Sequence, residues 1–319
     1  MKIFYRFYRV FFLLLIIGFY GCSAIDVSRY PDGTNFVKDE HLKKYERLPD
    51  VRFSIINTAE FPQIEGFLIS SGSWFKRANA MLPCVLVRHP RGTILYDSGL
   101  GNNVERDFRE GMPWGTGFTF PFKMISNART QLKMSGKFDP ESVKFIIMSH
   151  LHWDHASGIE DFPNAEIWTT QADYNYAIKK MGFGFSSSLF DNDKIKWRFI
   201  YFQDKPYENF DRSLDVFGDG SVVLVPLPGH TPSLIGMFIN TKSGKRYFFV
   251  NDALLFSDDL KVPAKSWMEK LFVDYDKKQT EATIARIYRL MKQYPDLVII
   301  SSHDDATKFT GKLFPKFIE

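Results

Sequence analysis

The chain has 319 residues, 45% hydrophobic and 24% charged, enough for one large or two small globular domains with a real core. Three units of its +4 net charge come from Lys2, Arg6 and Arg9; without them the balance is +1, which leaves no nucleic-acid footprint. Its two cysteines, Cys22 and Cys84, exclude a disulfide framework.

The chain opens on basic residues followed by an uncharged apolar run, Val10 to Tyr20, too short for a comfortable membrane span. Gly21-Cys22-Ser23 closes it. A small residue directly before a cysteine at the end of such a segment resembles the bacterial lipoprotein signal, in which the cysteine is lipidated and becomes the mature N-terminus. That resemblance implies an exported chain held on a bacterial membrane, facing the periplasm. An uncleaved signal anchor or conventional secretion are the alternatives. Residues 1–21 therefore read as a signal peptide. Residues 22–50, polar and carrying the charge run "KDEHLKKYER", read as a tether with His41 on its surface.

From Val51 the pattern becomes β. "VRFSIIN", "GFLISS", "CVLVRH" and "TILYD" read as strands, with a turn at His89-Pro90-Arg91-Gly92. Cys84 falls in an apolar run and reads as a small core residue. Residues 99–121 form a Gly- and aromatic-rich loop, and residues 123–134 look helical. "VKFIIMS" is a nearly all-apolar strand of the kind buried on both faces, and "MSHLHWDHASG" follows it. "AEIWT" is another strand. Thr170 with Asp173 makes a capping-box-like helix start. A second aromatic loop spans 182–190, and "WRFIYF" resumes the strands. "SVVLVPL" ends at Pro228-Gly229-His230-Thr231, "LIGMFIN" follows, and "RYFFVND" ends at Asp252. Asp276 caps an amphipathic helix to about Tyr294, and "LVIIS" runs into His303. The expected fold class is α/β, a sandwich of two packed sheets flanked by helices.

Five of the seven histidines, His150, His152, His155, His230 and His303, fall at or just after the ends of expected buried strands. So do Asp97, Asp154 and Asp252. Ligand sites in layered α/β folds gather where strand ends converge. Neutral imidazole and carboxylate suit divalent Zn²⁺, with Fe, Co or Mn also compatible, and the lack of thiolates argues against a structural zinc. His150 and His152, two apart, point the same way in extended backbone, and His230 makes a third imidazole. Asp154, His155 and His303 form a second set, and Asp252 can bridge. Two metals about 3.5–4 Å apart acidify a water between them and polarise an ester-like carbonyl.

On these residues the chain resembles the metallo-β-lactamase superfamily over about residues 51–319. The elements are Asp97 in "LYDSG", His150, His152, Asp154 and His155 in "SHLHWDH", His230 in "PGHT", Asp252 in "VND" and His303 in "SSHD". The resemblance implies an αββα fold, two divalent metal ions, and a supporting role for Asp97 in orienting ligands through hydrogen bonds. Within that superfamily the chain is most similar to bacterial N-acyl homoserine lactonases, in "LPCVLVRHPRGTILYDSGLG", in "SHLHWDHASG" and in the tail after His303. It departs from them at Leu255, where those lactonases carry a tyrosine that helps orient the lactone carbonyl, and in "TPSLIG", which lacks their usual glycine.

The expected function is metal-dependent hydrolysis of an acyl lactone or ester, with a hydroxide held between the metals attacking the carbonyl. Asp154 is expected to pass a proton to the leaving alkoxide. A glyoxalase-type thioesterase, a β-lactamase and a non-catalytic metal-binding lipoprotein are the alternatives. Phe108, Trp114, Phe118, Phe120, Phe183 and Phe185 are candidates to line an acyl pocket, against ordinary loop packing.

Overall fold

The computed structural model describes residues 24–31, 48–113 and 120–319. The signal segment with Cys22, His41, and the pocket candidates Trp114 and Phe118 lie outside them. Among the described residues no helix is long and apolar enough to cross a membrane.

Two sheets stack face to face. The first contains β1 (Arg52–Ile64), β2 (Arg77–His89), β3 (Gly92–Tyr96), β4 (Lys123–Met124), β5 (Val143–Ile147), β6 (Glu166–Thr169) and β7 (Lys196–Phe199), in the order β4-β1-β2-β3-β5-β6-β7. The second contains β8 (Leu214–Asp215), β9 (Val222–Pro226), β10 (Ile235–Asn240), β11 (Arg246–Phe249) and β12 (Leu297–Ile300), in the order β12-β11-β10-β9-β8. Strand alternation explains the layers. Phe53 and Ile55 of β1, Val85 and Val87 of β2, Val222 and Leu224 of β9, and Met237 and Ile239 of β10 meet between the sheets. The intervening residues face outward: Cys84 and Leu86 pack under the helices of the first sheet, Val223, Val225 and Phe238 under those of the second. Because both faces of both sheets are covered, the strands read as nearly continuous apolar runs. The architecture is the expected αββα sandwich.

The outer layers hold α1 (Glu65–Leu68), α2 (Val104–Gly111), α3 (Ala128–Met134), α4 (Trp153–Ala156), α5 (Gln171–Lys179), α6 (Trp267–Phe272) and α7 (Lys277–Gln293). Asp276 caps α7 by accepting from Lys278 and Gln279 N–H groups, and Ile284, Ile287 and Leu290 bury its inner face.

Four local expectations change. "GFLISS" is not a strand: β1 runs on to Ile64, and the chain then turns through α1, with Gly66 under the Trp74 ring and Leu68 buried. Alternating apolar residues suit one helical turn as well as a strand. Residues 123–134 are not one helix. Met124 and Lys123 first pair with β1, and Asn127, accepting from Thr130 N–H, starts α3. The stretch 99–121 contains α2 rather than being loop throughout. Residues 24–31, read as part of a tether, also lie on the domain. Ile25 is buried and its N–H donates to Pro263 O at 2.7 Å, and Tyr30 hydroxyl reaches Glu281 at 2.5 Å.

Candidate metal centre

The topology brings the expected residues together. β3 and β5 are parallel neighbours, so Asp97 and Ser149 emerge side by side from their C-terminal ends. β9 and β11 run the same way across antiparallel β10, and β12 is parallel to β11. His230, Asp252 and His303 therefore leave the second sheet at one edge. Ile235 N–H donates to Ser149 O at 2.9 Å, stitching that edge to the first sheet. His152 opens α4, whose single turn carries Asp154 and His155. Gly229, at φ +140°, lets the His230 turn approach α7 so closely that a Cβ would lie 2.4 Å from Thr280 backbone.

The side chains form two sets. His150, His152, His230 and Asp252 make one; Asp154, His155 and His303 make the other. In the first, His152 Nδ1 lies 2.9 Å from His150 Nε2 and 3.0 Å from His230 Nε2. Asp252 stands between the sets: Oδ2 is 3.5 Å from His230 Nε2 and 3.4 Å from His303 Nε2, and Oδ1 is 3.3 Å from His155 Nε2. Asp154 Oδ2 lies 3.7 Å from His155 Nε2 and 3.6 Å from His303 Nε2. Asp154 is the most open of the seven, with 18% of its side chain exposed; the other six are buried.

Supporting hydrogen bonds decide which imidazole nitrogens carry lone pairs. His303 Nδ1 donates to Met81 O at 2.8 Å, and His155 Nδ1 to Asp97 Oδ2 at 2.9 Å. His230 Nδ1 donates to Asp274 at 3.2 Å. Ser149 Oγ gives its one proton to Asp97, so it accepts from His150 Nδ1 at 2.9 Å. With each Nδ1 so engaged, Nε2 is the ring atom aimed into the cluster, and in the neutral ring it offers a lone pair there.

This donor set fits divalent metal. Lone pairs of His150 and His230 both confront His152 Nδ1, which has at most one proton to share. Buried His155 Nε2 has no hydrogen-bond partner. Four ligand atoms about 2 Å from one zinc ion lie roughly 3.3 Å apart; with His150 Nε2 3.8 Å from Asp252 Oδ2, the His150–His152, His152–His230, His230–Asp252 and His150–Asp252 separations run from 2.9 to 3.8 Å and bracket that value. Burial, aided by neighbouring imidazoles, holds His150 and His152 well below the usual histidine range, so both rings are neutral, the form a metal needs. Burial would also lower His155, but Asp252, Asp154 and Asp97 outweigh it and push it well up; Asp252 does the same for His303. Burial would raise Asp252, but His155, His303 and His150 hold it ionised. The carboxylates thus create the negative potential that a dication would satisfy.

Supporting residues hold these side chains in place: Asp97, as the resemblance implied, and others with little sequence signal. Asp97, at φ 59°, accepts from Ser149 N–H, Ser149 Oγ, His155 and Asn251 Nδ2, joining both sheets. Asn251 is itself left-handed at φ 45°, and such conformations cost of order 1 kcal/mol each. Ser302 Oγ donates to Asp252 Oδ1 at 2.5 Å. Asp173 is more than a cap partner. It is buried and accepts from Thr231 Oγ1 and Ser233 N–H, fixing the loop after His230. Burial pushes it up to about 7.

The aromatic loops divide. Phe185 is buried with its ring centroid 4.5 Å from that of His152, while Phe183 is exposed. Phe108 packs edge-on against Trp153 at 4.8 Å, and Phe120 stacks on Phe61 at 5.7 Å. Leu255 packs against the neighbouring cluster of Trp153 and Phe256. The 182–190 loop is held by Glu110, whose carboxylate accepts from Ser186, Ser187 and Ser188 hydroxyls and from Ser188 N–H.

Two stacked sheets with histidines and aspartates at converging strand ends define a metal-dependent hydrolase. The sequence profile of the Metallo-beta-lactamase superfamily matches residues 82–303, and the chain belongs to that superfamily. Among named relatives, it is 28% identical over 244 residues to the N-acyl homoserine lactonase AttM of Rhizobium radiobacter, covering 74% of this chain and 86% of AttM. It is 26% identical over 252 residues to the N-acyl homoserine lactonase AiiA of Bacillus thuringiensis subsp. kurstaki, covering 76% and 89%. An N-acyl homoserine lactone hydrolase solved with N-hexanoyl-L-homoserine at its catalytic metal centre shares the fold, with a TM-score of 0.62, 22% identity, and coverage of 85% of this chain and 100% of that one.

Proposed function

We propose that the protein is a dinuclear lactonase that opens N-acyl homoserine lactones or closely related acyl lactones. The observation that carries this reading is Asp252 standing between two separate ligand sets, one of three imidazoles and one with Asp154. The named lactonase relatives, aligned over about three quarters of the chain, support the substrate class.

His150, His152 and His230 would hold one metal, Asp154, His155 and His303 the second, and Asp252 both. Zinc is the first expectation for these ligands. When bound, the pair supplies an acidified water and a Lewis acid for the carbonyl oxygen. The chain's own residues do the rest. Asp97 and Asp274 keep His155 and His230 in the ligating tautomer. Asp154, the one partly open ligand, receives the water's proton as the carbonyl carbon gains its new oxygen. When the ring C–O bond breaks, that proton passes to the departing alkoxide, giving an N-acyl hydroxy acid. Phe185, buried against the His152 ring, supports that ring from the core side.

The test is product analysis. Metal-loaded protein is given acyl homoserine lactones of graded chain length, a thioester and a β-lactam. Ring-opened N-acyl homoserine as the fastest product supports the reading; hydrolysis of the thioester or β-lactam alone overturns it. On the sequence of residues 1–23 we propose export and anchoring through Cys22.

A further inference from the structure

Lys265 lies between Ala264 and the Ser266 cap of α6, and its side chain is completely buried. Its Nζ donates to Asp252 O at 2.7 Å and to Asp274 Oδ1 at 2.8 Å, and lies 3.1 Å from Glu269 Oε1. Asp274 Oδ1 also accepts from His230 Nδ1 at 3.2 Å. One ammonium therefore touches the main chain of the carboxylate that stands between the two ligand sets. It also touches the carboxylate that orients a histidine of the first set. His230, Glu269 and Asp274 lie together as a potential cation site of their own. The ammonium already stands among them, so this pocket needs no further ion.

A lysine is rarely buried without paired charge, because an unpaired ammonium loses its hydration. Glu269 and Asp274, both buried, supply the pairing. The geometry points to Lys265 as a positioning residue. It fixes the Asp274 carboxylate against His230 and holds the main chain at Asp252, so that ligands from two strand ends keep one geometry. This rests on the proposed reading that His230 and Asp252 are metal ligands.

The experiment uses the purified full-length protein, Lys265→Met, the double variant Lys265→Met/Asp274→Asn, which removes the His230-facing one of the two carboxylates that lose their ammonium, and Asp274→Asn alone as the reference. Each is titrated with cobalt(II) against a competing chelator, with visible d–d spectra, and its thermal unfolding is measured without metal. The proposal expects wild type to bind two equivalents. It expects both Lys265 variants to bind one equivalent about tenfold or more weakly, the loss typical of removing a ligand's supporting partner, with shifted d–d bands. The double variant should recover unfolding temperature but not the spectrum. Wild-type affinity and spectrum in either folded Lys265 variant would overturn the positioning role. Recovery of both stability and spectrum in the double variant would reduce Lys265 to charge balance and overturn it equally. If Lys265→Met does not fold, the double variant is compared with Asp274→Asn alone, and equal cobalt affinity and spectrum in the two overturn the positioning role. Failure of wild type to bind cobalt at all would instead overturn the underlying metal reading.

Discussion

Gly184→Ala is the sharpest test of how the site is held. Gly184 sits at φ +95°, outside the range an alanine adopts comfortably, a penalty of about 1–2 kcal/mol. Its new Cβ would lie 2.6 Å from His152 Cδ2 and 2.9 Å from Nε2. Carbon contacts relax at about 3.5 Å or more, so ring or loop must move by roughly 1 Å. The loop has little freedom. Gly184 N–H donates to Gly111 O at 2.6 Å, Gly184 O accepts from Trp153 N–H at 2.8 Å, and Glu110 pins the three serines that follow. The ring should therefore yield, and misplacement by about 1 Å can cost on the order of 100-fold in rate. The assay is kcat on an acyl homoserine lactone beside metal content and thermal unfolding. The variant should lose about 100-fold in kcat, retain less metal, and unfold several degrees lower. Full metal content with kcat within about twofold of wild type would refute the claim that this loop positions His152.

Asp154→Asn should slow product formation by about 100-fold or more while the first metal stays bound, since the amide cannot carry the proton; pre-steady-state rates with metal analysis check this, and an unchanged rate removes Asp154 from proton transfer. Glu110 is partly buried, which would raise its pKa, but its serine partners outweigh that and hold it at about 2 against an ordinary 4.5. A depressed acid stabilises above its unfolded value, so the latch should be intact above about pH 4.5 and lost as pH falls toward about 2. Amide exchange at Ser188, corrected for intrinsic rate, should accelerate across that window, and in Glu110→Ala it should already be fast at neutral pH. Cys22→Ser should release the protein from membranes into the soluble fraction; retention would favour an uncleaved signal anchor.

Strand ends and metal-type residues were legible because they obey local rules. Buried strands are short apolar runs, and a histidine or aspartate directly after one has few structural reasons to be there. Ligands separated by more than 150 residues could be grouped because each carried that same signature. Lys265 and Asp274 could not be found this way. Nothing nearby in sequence distinguishes a lysine buried by contacts across the fold from one in water. Asp173 looked like half of a capping box because Thr170 does cap α5; its real partners, Thr231 and Ser233, lie 58 and 60 residues away. "GFLISS" misled because one helical turn and a short strand share an apolar pattern, and only the register of β1 with β2 through Ile64 and Arg77 tells them apart.

Under the proposed anchoring at Cys22, the docking of residues 24–31 would set how far the domain can stray from the membrane. Ile25 is buried beside Pro263, and Arg289 clasps the backbone carbonyls of Val27 and Tyr30. Two residues, Ser23 and Ala24, separate Cys22 from Ile25, so three Cα–Cα steps give a reach of about 10 Å at most. A lipid on Cys22 would therefore act as a short hinge pin rather than a rope. It would keep the Pro263 side toward the bilayer and limit tumbling, so the direction in which the histidine cluster looks would become a property of the docked segment.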